Sequence, residues 1–250
     1  MRAQPIPVLL LVAWLGFRLY PYVPTIDLHK YWDALKPVLH GPPVASFALF
    51  QDTVMWLAVC ALIDAIVARR FWLLFPLFAG GVLFARVLIL TTMLSAPEVF
   101  GAALAYAIWL PLRAARPQQR AAVAALLLLA LVSALRLDPF RFHAAAGDFG
   151  WIPFRSAILG APGIDLRAFL QKFFYYGGLI WFLAQAGLRM RSATILVATL
   201  LFLTGIAEIY MPGHAAGITD AVMALIVGGI FALIARPAAM RFGAPSARRA

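Results

Sequence analysis

Eight apolar runs dominate the sequence, at about residues 5–22, 47–67, 71–94, 98–113, 120–137, 166–187, 193–210 and 217–235. A helix needs about 20 predominantly apolar residues to cross the roughly 30 Å hydrocarbon core of a bilayer. Within that core the backbone satisfies its own hydrogen bonds only as helix or closed barrel, and apolar runs of this length without strict alternation read as helices. The expected fold class is therefore all-α, a polytopic transmembrane helix bundle of about eight spans. Only 12% of the residues are charged and 64% are hydrophobic, against about one quarter charged in ordinary soluble domains, which excludes a soluble globular fold. The first run carries Arg18 and is followed by no small-residue cleavage site, so it reads as a retained span and not a signal peptide.

The charges encode topology. The formal net charge is +11, but the basic residues sit between apolar runs instead of forming a stripe, which argues against nucleic acid as a partner. Arg69 and Arg70, then Arg113, Arg116 and Arg120, then Arg189 and Arg191 mark alternate turns, and residues 236–250 form a basic tail with Arg236, Arg241, Arg248 and Arg249. Lys and Arg in short loops favour the cytoplasmic side, so both termini are expected there and the turn at 211–216 outside. Two segments expected outside, 24–46 and 138–165, run against this count with Lys30, Lys36, Arg141 and Arg155. Both are rich in aromatic residues and proline, and Tyr31, Trp32, Trp151 and Phe154 are expected at headgroup depth. Asp64 is expected to form an end-of-helix ion pair near Arg69 and Arg70.

The chemistry concentrates in the last two runs, where IAEIYMPGHAAGITDAVMALIVGG carries Glu208, His214 and Asp220 around a short turn. Ionisable groups at membrane depth mark functional-site candidates. Asp220 shares a helix face with Ala224, Gly228 and Ala232, a small-residue ladder that lets helices approach closely, so Asp220 is expected to face the bundle interior. Arg18, Arg86 and Lys172 fall at comparable depth in other runs, as does Asp52. Two readings stay open. These groups neutralise one another as ion pairs that fix helix register, or Arg18, Arg86, Arg155, Lys172, Glu208 and Asp220 line an outward polar pocket for an anionic lipid head, with arginine supplying bidentate phosphate contacts. Glu208, His214 and Asp220 are also the candidates for general acid and base catalysis on a lipid-linked substrate, and a secondary transporter is a further alternative. No Ser/His/Asp signature or phosphate-binding glycine loop occurs, and the histidines lack metal-ligand spacing. Neither a metal nor a cofactor is expected.

The segment GDFGWIPFRSAI, a following apolar helix with Lys172, and AEIYMPGHAAGITDAVMALIVGG together resemble the VanZ-like family of bacterial membrane proteins over about residues 120–235. Ile152, Pro153 and Phe154 match the family's Ile-Pro-Phe segment, Glu208 its glutamate, Pro212 and Gly213 its turn, and Asp220 its aspartate. Met211, His214, Ala224 and Gly150 stand where the family usually has glutamine, arginine, asparagine and asparagine. The resemblance implies a multi-pass protein of the bacterial cytoplasmic (inner) membrane with a cell-envelope role, in glycopeptide resistance or exopolysaccharide and envelope biogenesis. It also implies membrane lipids, polyprenyl-phosphate-linked glycans or an amphiphilic antibiotic as ligands, and envelope-biogenesis proteins as partners. Residues 1–119 form an unrecognised four-span region, 120–235 the VanZ-like region and 236–250 a basic tail.

Overall fold

The computed structural model describes residues 5–25, 29–32, 36, 45–89, 94–138, 140–141, 143, 147–154, 166–211 and 216–235. Among them the protein is all-helical, with eight α-helices: α1 (Pro5–Arg18), α2 (Ser46–Val67), α3 (Phe71–Leu88), α4 (Ala96–Leu112), α5 (Pro117–Leu137), α6 (Leu166–Gln185), α7 (Met190–Ala207) and α8 (Thr219–Ile234). Single 3-10 turns at Ala68–Arg70 and Glu208–Tyr210 join α2 to α3 and end α7. Three helical stretches, Ser46–Leu88, Pro117–Leu137 and Met190–Tyr210, are long and apolar enough to cross a membrane, and α1, α4 and α8 are shorter apolar helices.

Seven of the eight helices track the apolar runs to within about four residues at each end, whereas the third run is cut short. At Ile89 the backbone turns extended (φ −83°, ψ 135°) and bridges antiparallel to Pro24. Thr25 N–H donates to Leu88 O at 2.9 Å, and the Lys30 ammonium donates to Val87 O at 2.8 Å and to Ile89 O. Thr25 and Lys30 thus supply donors to carbonyls that the last helical turn leaves unpaired. Apolarity alone would carry α3 further; these local hydrogen bonds stop it.

Two helices form the centre. In α2 every residue from Thr53 to Asp64 is buried, and in α6 every residue from Phe173 to Phe182; a helix buried on all faces has to be surrounded. Helix α2 packs against α1, α3, α4 and α5, while α6 packs against α1, α5, α7 and α8. Helices α1 and α5 therefore touch both hubs and flank the seam between them. Trp14 of α1 meets Trp56 of α2 edge to face at 4.8 Å, and Phe17 of α1 meets Phe174 of α6 at 6.0 Å. The outward faces stay apolar: Trp72, Leu77, Phe84, Leu126, Ile195 and Leu233 are all more than 60% exposed, a surface that suits hydrocarbon better than water.

Small residues set the closest approaches. A Cβ at Gly228 of α8 would overlap the Thr194 side chain of α7, so the Asp220 face does press against a neighbouring helix as its ladder of small residues predicts. At Gly101 of α4 a Cβ would stand 2.8 Å from Asp52 Cβ and 2.9 Å from the Thr53 amide nitrogen of α2. Gly101→Ala is expected to cost about 1–3 kcal/mol, because backbone must move. Gly80→Ala on α3, where nothing lies within 4 Å, should be neutral or stabilising by up to about 1 kcal/mol. Thermal unfolding of both variants in one detergent checks the contrast, and equal melting points would contradict the packing.

Candidate functional site: a charged layer at one end of the bundle

Each of the eight helices, with the turn that ends α7, brings at least one ionisable side chain to the same end of the bundle. Arg18, Arg86 and Arg136 lie in the last turns of α1, α3 and α5, and Glu98 and Asp220 in the first turns of α4 and α8. Cations at helix C-termini and anions at N-termini each gain about 0.3–1 kcal/mol from the helix dipole. Asp52, Lys172 and Glu208 complete the layer from α2, α6 and the end of α7. Ser95 caps α4 by accepting from the Glu98 amide at 3.3 Å, which holds the start of that helix in place.

The layer resolves into two groups. In the first, Arg18 bridges Asp52 at 2.9 Å and Glu98 at 2.6 Å, and Arg86 reaches Glu98 at 3.2 Å. Glu98 is only 1% exposed and lies between the two arginines. In the second, Arg136 holds Glu208 at 2.8 Å and Asp220 at 2.5 Å, and Lys172 binds the other Asp220 oxygen at 2.7 Å. Charges removed from water in this way persist only when paired, and both groups are.

The hairpin that carries Glu208 and Asp220 is clamped from outside by the segment matching the Ile-Pro-Phe motif. Gly150 N–H donates to Ala216 O at 2.9 Å, Ile218 N–H returns to Gly150 O at 3.1 Å, and Phe154 N–H donates to Thr219 Oγ1 at 3.2 Å. Trp151 stays largely exposed beside Phe149, ring centroids 4.7 Å apart.

Two cavities open beside these groups. One, of about 430 Å³, is lined by Arg18, Arg86 and Arg167 with Gln51, Gln171, Tyr20 and Tyr175, and by no carboxylate among the described residues. The other, of about 390 Å³, is lined by Arg136, Lys172, Glu208, Asp220 and Tyr176. Gln171 and Tyr175 line both and hydrogen-bond each other at 3.0 Å, forming the partition. The lining of the first cavity is cationic, while Asp52 and Glu98 pair with Arg18 and Arg86 outside that lining; the second cavity is lined by as many carboxylates as cations.

The sequence-derived candidates are thus distributed, not merged. Arg18, Arg86 and Asp52 come together around Glu98, while Lys172, Glu208 and Asp220 come together around Arg136. A single pool of cations neutralising Asp52, Glu208 and Asp220 is replaced by two sets with separate partners. His214 and Arg155 lie outside the described residues. Sequence reasoning missed Glu98, Arg136 and Arg167; the signal was their position, each within two turns of the layer end of an apolar run. Asp64 is corrected. It pairs with Arg113 at 3.0 Å and Arg120 at 2.7 Å, not with Arg69 and Arg70. The reason is direction: Asp64 is buried on the side facing α4 and α5, whereas Arg69 and Arg70 are exposed in the following turn.

Fold and site together define an all-helical protein with helices fit to cross a membrane and a paired charge layer at one end. No protein-family model, no curated protein and no solved structure matches the chain.

Proposed function

We propose that the protein is a multi-pass component of the bacterial cytoplasmic membrane, VanZ-like over about residues 120–235, whose arginine-lined cavity receives the phosphate-bearing head of an anionic lipid such as a lipid-linked glycan precursor. The observation that carries this reading is the cavity of about 430 Å³ presenting Arg18, Arg86 and Arg167 without a lining carboxylate. That volume lies in the range of small-ligand sites, and arginine matches phosphate geometry bidentately. Orientation is supported by the far end of the bundle, where Arg69, Arg70, Arg113, Arg116, Arg120, Arg189 and Arg191 face a single described acid, Asp64. By the positive-inside rule that end is cytoplasmic and the charge layer faces outward. An envelope role in glycan assembly or tolerance of envelope-directed antibiotics follows from the ligand class and the VanZ resemblance.

Arg167→Gln is the direct test, because it leaves the Glu98 bridges of Arg18 and Arg86 in place. A charge-assisted hydrogen bond contributes about 1.5–3 kcal/mol, so polyprenyl phosphate binding in lipid nanodiscs should weaken about tenfold to a hundredfold. Binding that is unchanged by Arg167→Gln at equal protein level would remove the basis of the proposal.

A further inference from the structure

We propose a second phosphate-binding site at the opposite, basic end of the same bundle, independent of the one above. A cavity of about 640 Å³ opens there between the C-terminal ends of α2, α4 and α6 and the start of α5, lined by Asp64, Arg113, Arg120, Trp109, Trp181 and Gln185 among others. It carries two arginines against one aspartate, so its pairing leaves a positive surplus. Arg113 is held rigidly: its Nε faces Asp64 at 3.0 Å, one terminal nitrogen donates to Ala68 O at 2.6 Å, and its guanidinium lies over the Phe71 ring, 5.0 Å from the centroid. Arg120 gives one nitrogen to Asp64 at 2.7 Å, and a guanidinium has five N–H donors. The aspartate thus orients both arginines while consuming part of their capacity.

The lining also supplies a neutral donor. The Gln185 amide borders the cavity, and Arg113 and Arg120 keep guanidinium N–H donors beyond those that Asp64 and Ala68 O engage. A phosphate group offers acceptor oxygens to donors of this kind. The rest of the lining is apolar, with Ala61, Ala65 and Phe182 beside Trp181, which suits the glycerol and upper acyl carbons of a phospholipid. Basic pockets between helices on the positively charged side of membrane proteins take anionic headgroups by this chemistry. The shared ligand chemistry is a phosphate-bearing anion, supplied by a lipid of the adjacent leaflet or free in solution.

Full-length protein is titrated with phosphatidylglycerol, phosphatidylcholine or inorganic phosphate, with bound ligand counted by native mass spectrometry. Phosphatidylglycerol or inorganic phosphate should bind at least tenfold better than phosphatidylcholine, and the arm that binds identifies the source. Arg120→Gln should weaken that binding about tenfold. Gln185→Leu, which removes the amide at an exposed position outside the Asp64 ion pairs, should weaken it several-fold and guards against a folding defect in the first variant. Arg167→Gln should leave this site occupied, so the two proposals fail separately. Binding indifferent to both Arg120→Gln and Gln185→Leu, or no preference for phosphate-bearing anions over phosphatidylcholine, would overturn the second site.

Discussion

Glu98→Gln is expected to lower the free energy of unfolding by about 3–5 kcal/mol, the range seen when one partner of a buried ion pair is removed. The substitution keeps shape and removes charge. Glu98 is 1% exposed and stands between Arg18 and Arg86, so its loss leaves Arg18 to Asp52 alone and strips Arg86 of its Glu98 bridge. Reversible unfolding in mixed micelles measures the change. Adding Arg86→Gln to Glu98→Gln should recover part of the loss, a coupling that a double-mutant cycle isolates. A single-variant loss below about 1 kcal/mol would mean that the pairing carries little stability.

The second large effect belongs to Arg136. Its guanidinium contacts Glu208 and Asp220 at once, so Arg136→Gln removes one contact from each of two carboxylates and should cost about 3–5 kcal/mol. Lys172→Gln touches the same aspartate but should cost less than about 1 kcal/mol, because the Lys172 side chain is 43% exposed and water screens its pair. The ratio of the two losses, measured under one unfolding protocol, tests whether Arg136 is the hub. Equal losses would place the hub elsewhere.

The helices were legible because apolarity over a span-length run leaves the backbone few alternatives. The inward face of Asp220 was legible for a related reason: Ala224 and Gly228 in register with it allow a neighbour to approach, and Thr194 does. Partner choice was not legible. Arg136 reads in sequence as an ordinary last-turn cation and Glu98 as an ordinary first-turn acid, since nothing local shows that they meet groups 84 residues ahead and 80 residues behind. Asp64 shows the same limit. Nearness in sequence favours Arg69 and Arg70, but the helical face on which Asp64 lies selects Arg113 and Arg120. The arginine-lined cavity was half legible: Arg18 and Arg86 stand out within apolar runs, whereas Arg167 is the second residue of its run and looks like a flanking charge.

The charge layer also bears on how the chain can be built. Its ion pairs close within residues 5–112 and, separately, within 117–234. A nascent chain therefore reaches electrical closure when α4 joins α1 to α3, well before synthesis ends. The later half has no such early resting point. Until α8 delivers Asp220, Lys172 lacks the carboxylate it binds and Arg136 holds one of its two. A chain cut short before α8 would keep two cations, Arg136 and Lys172, against Glu208 alone.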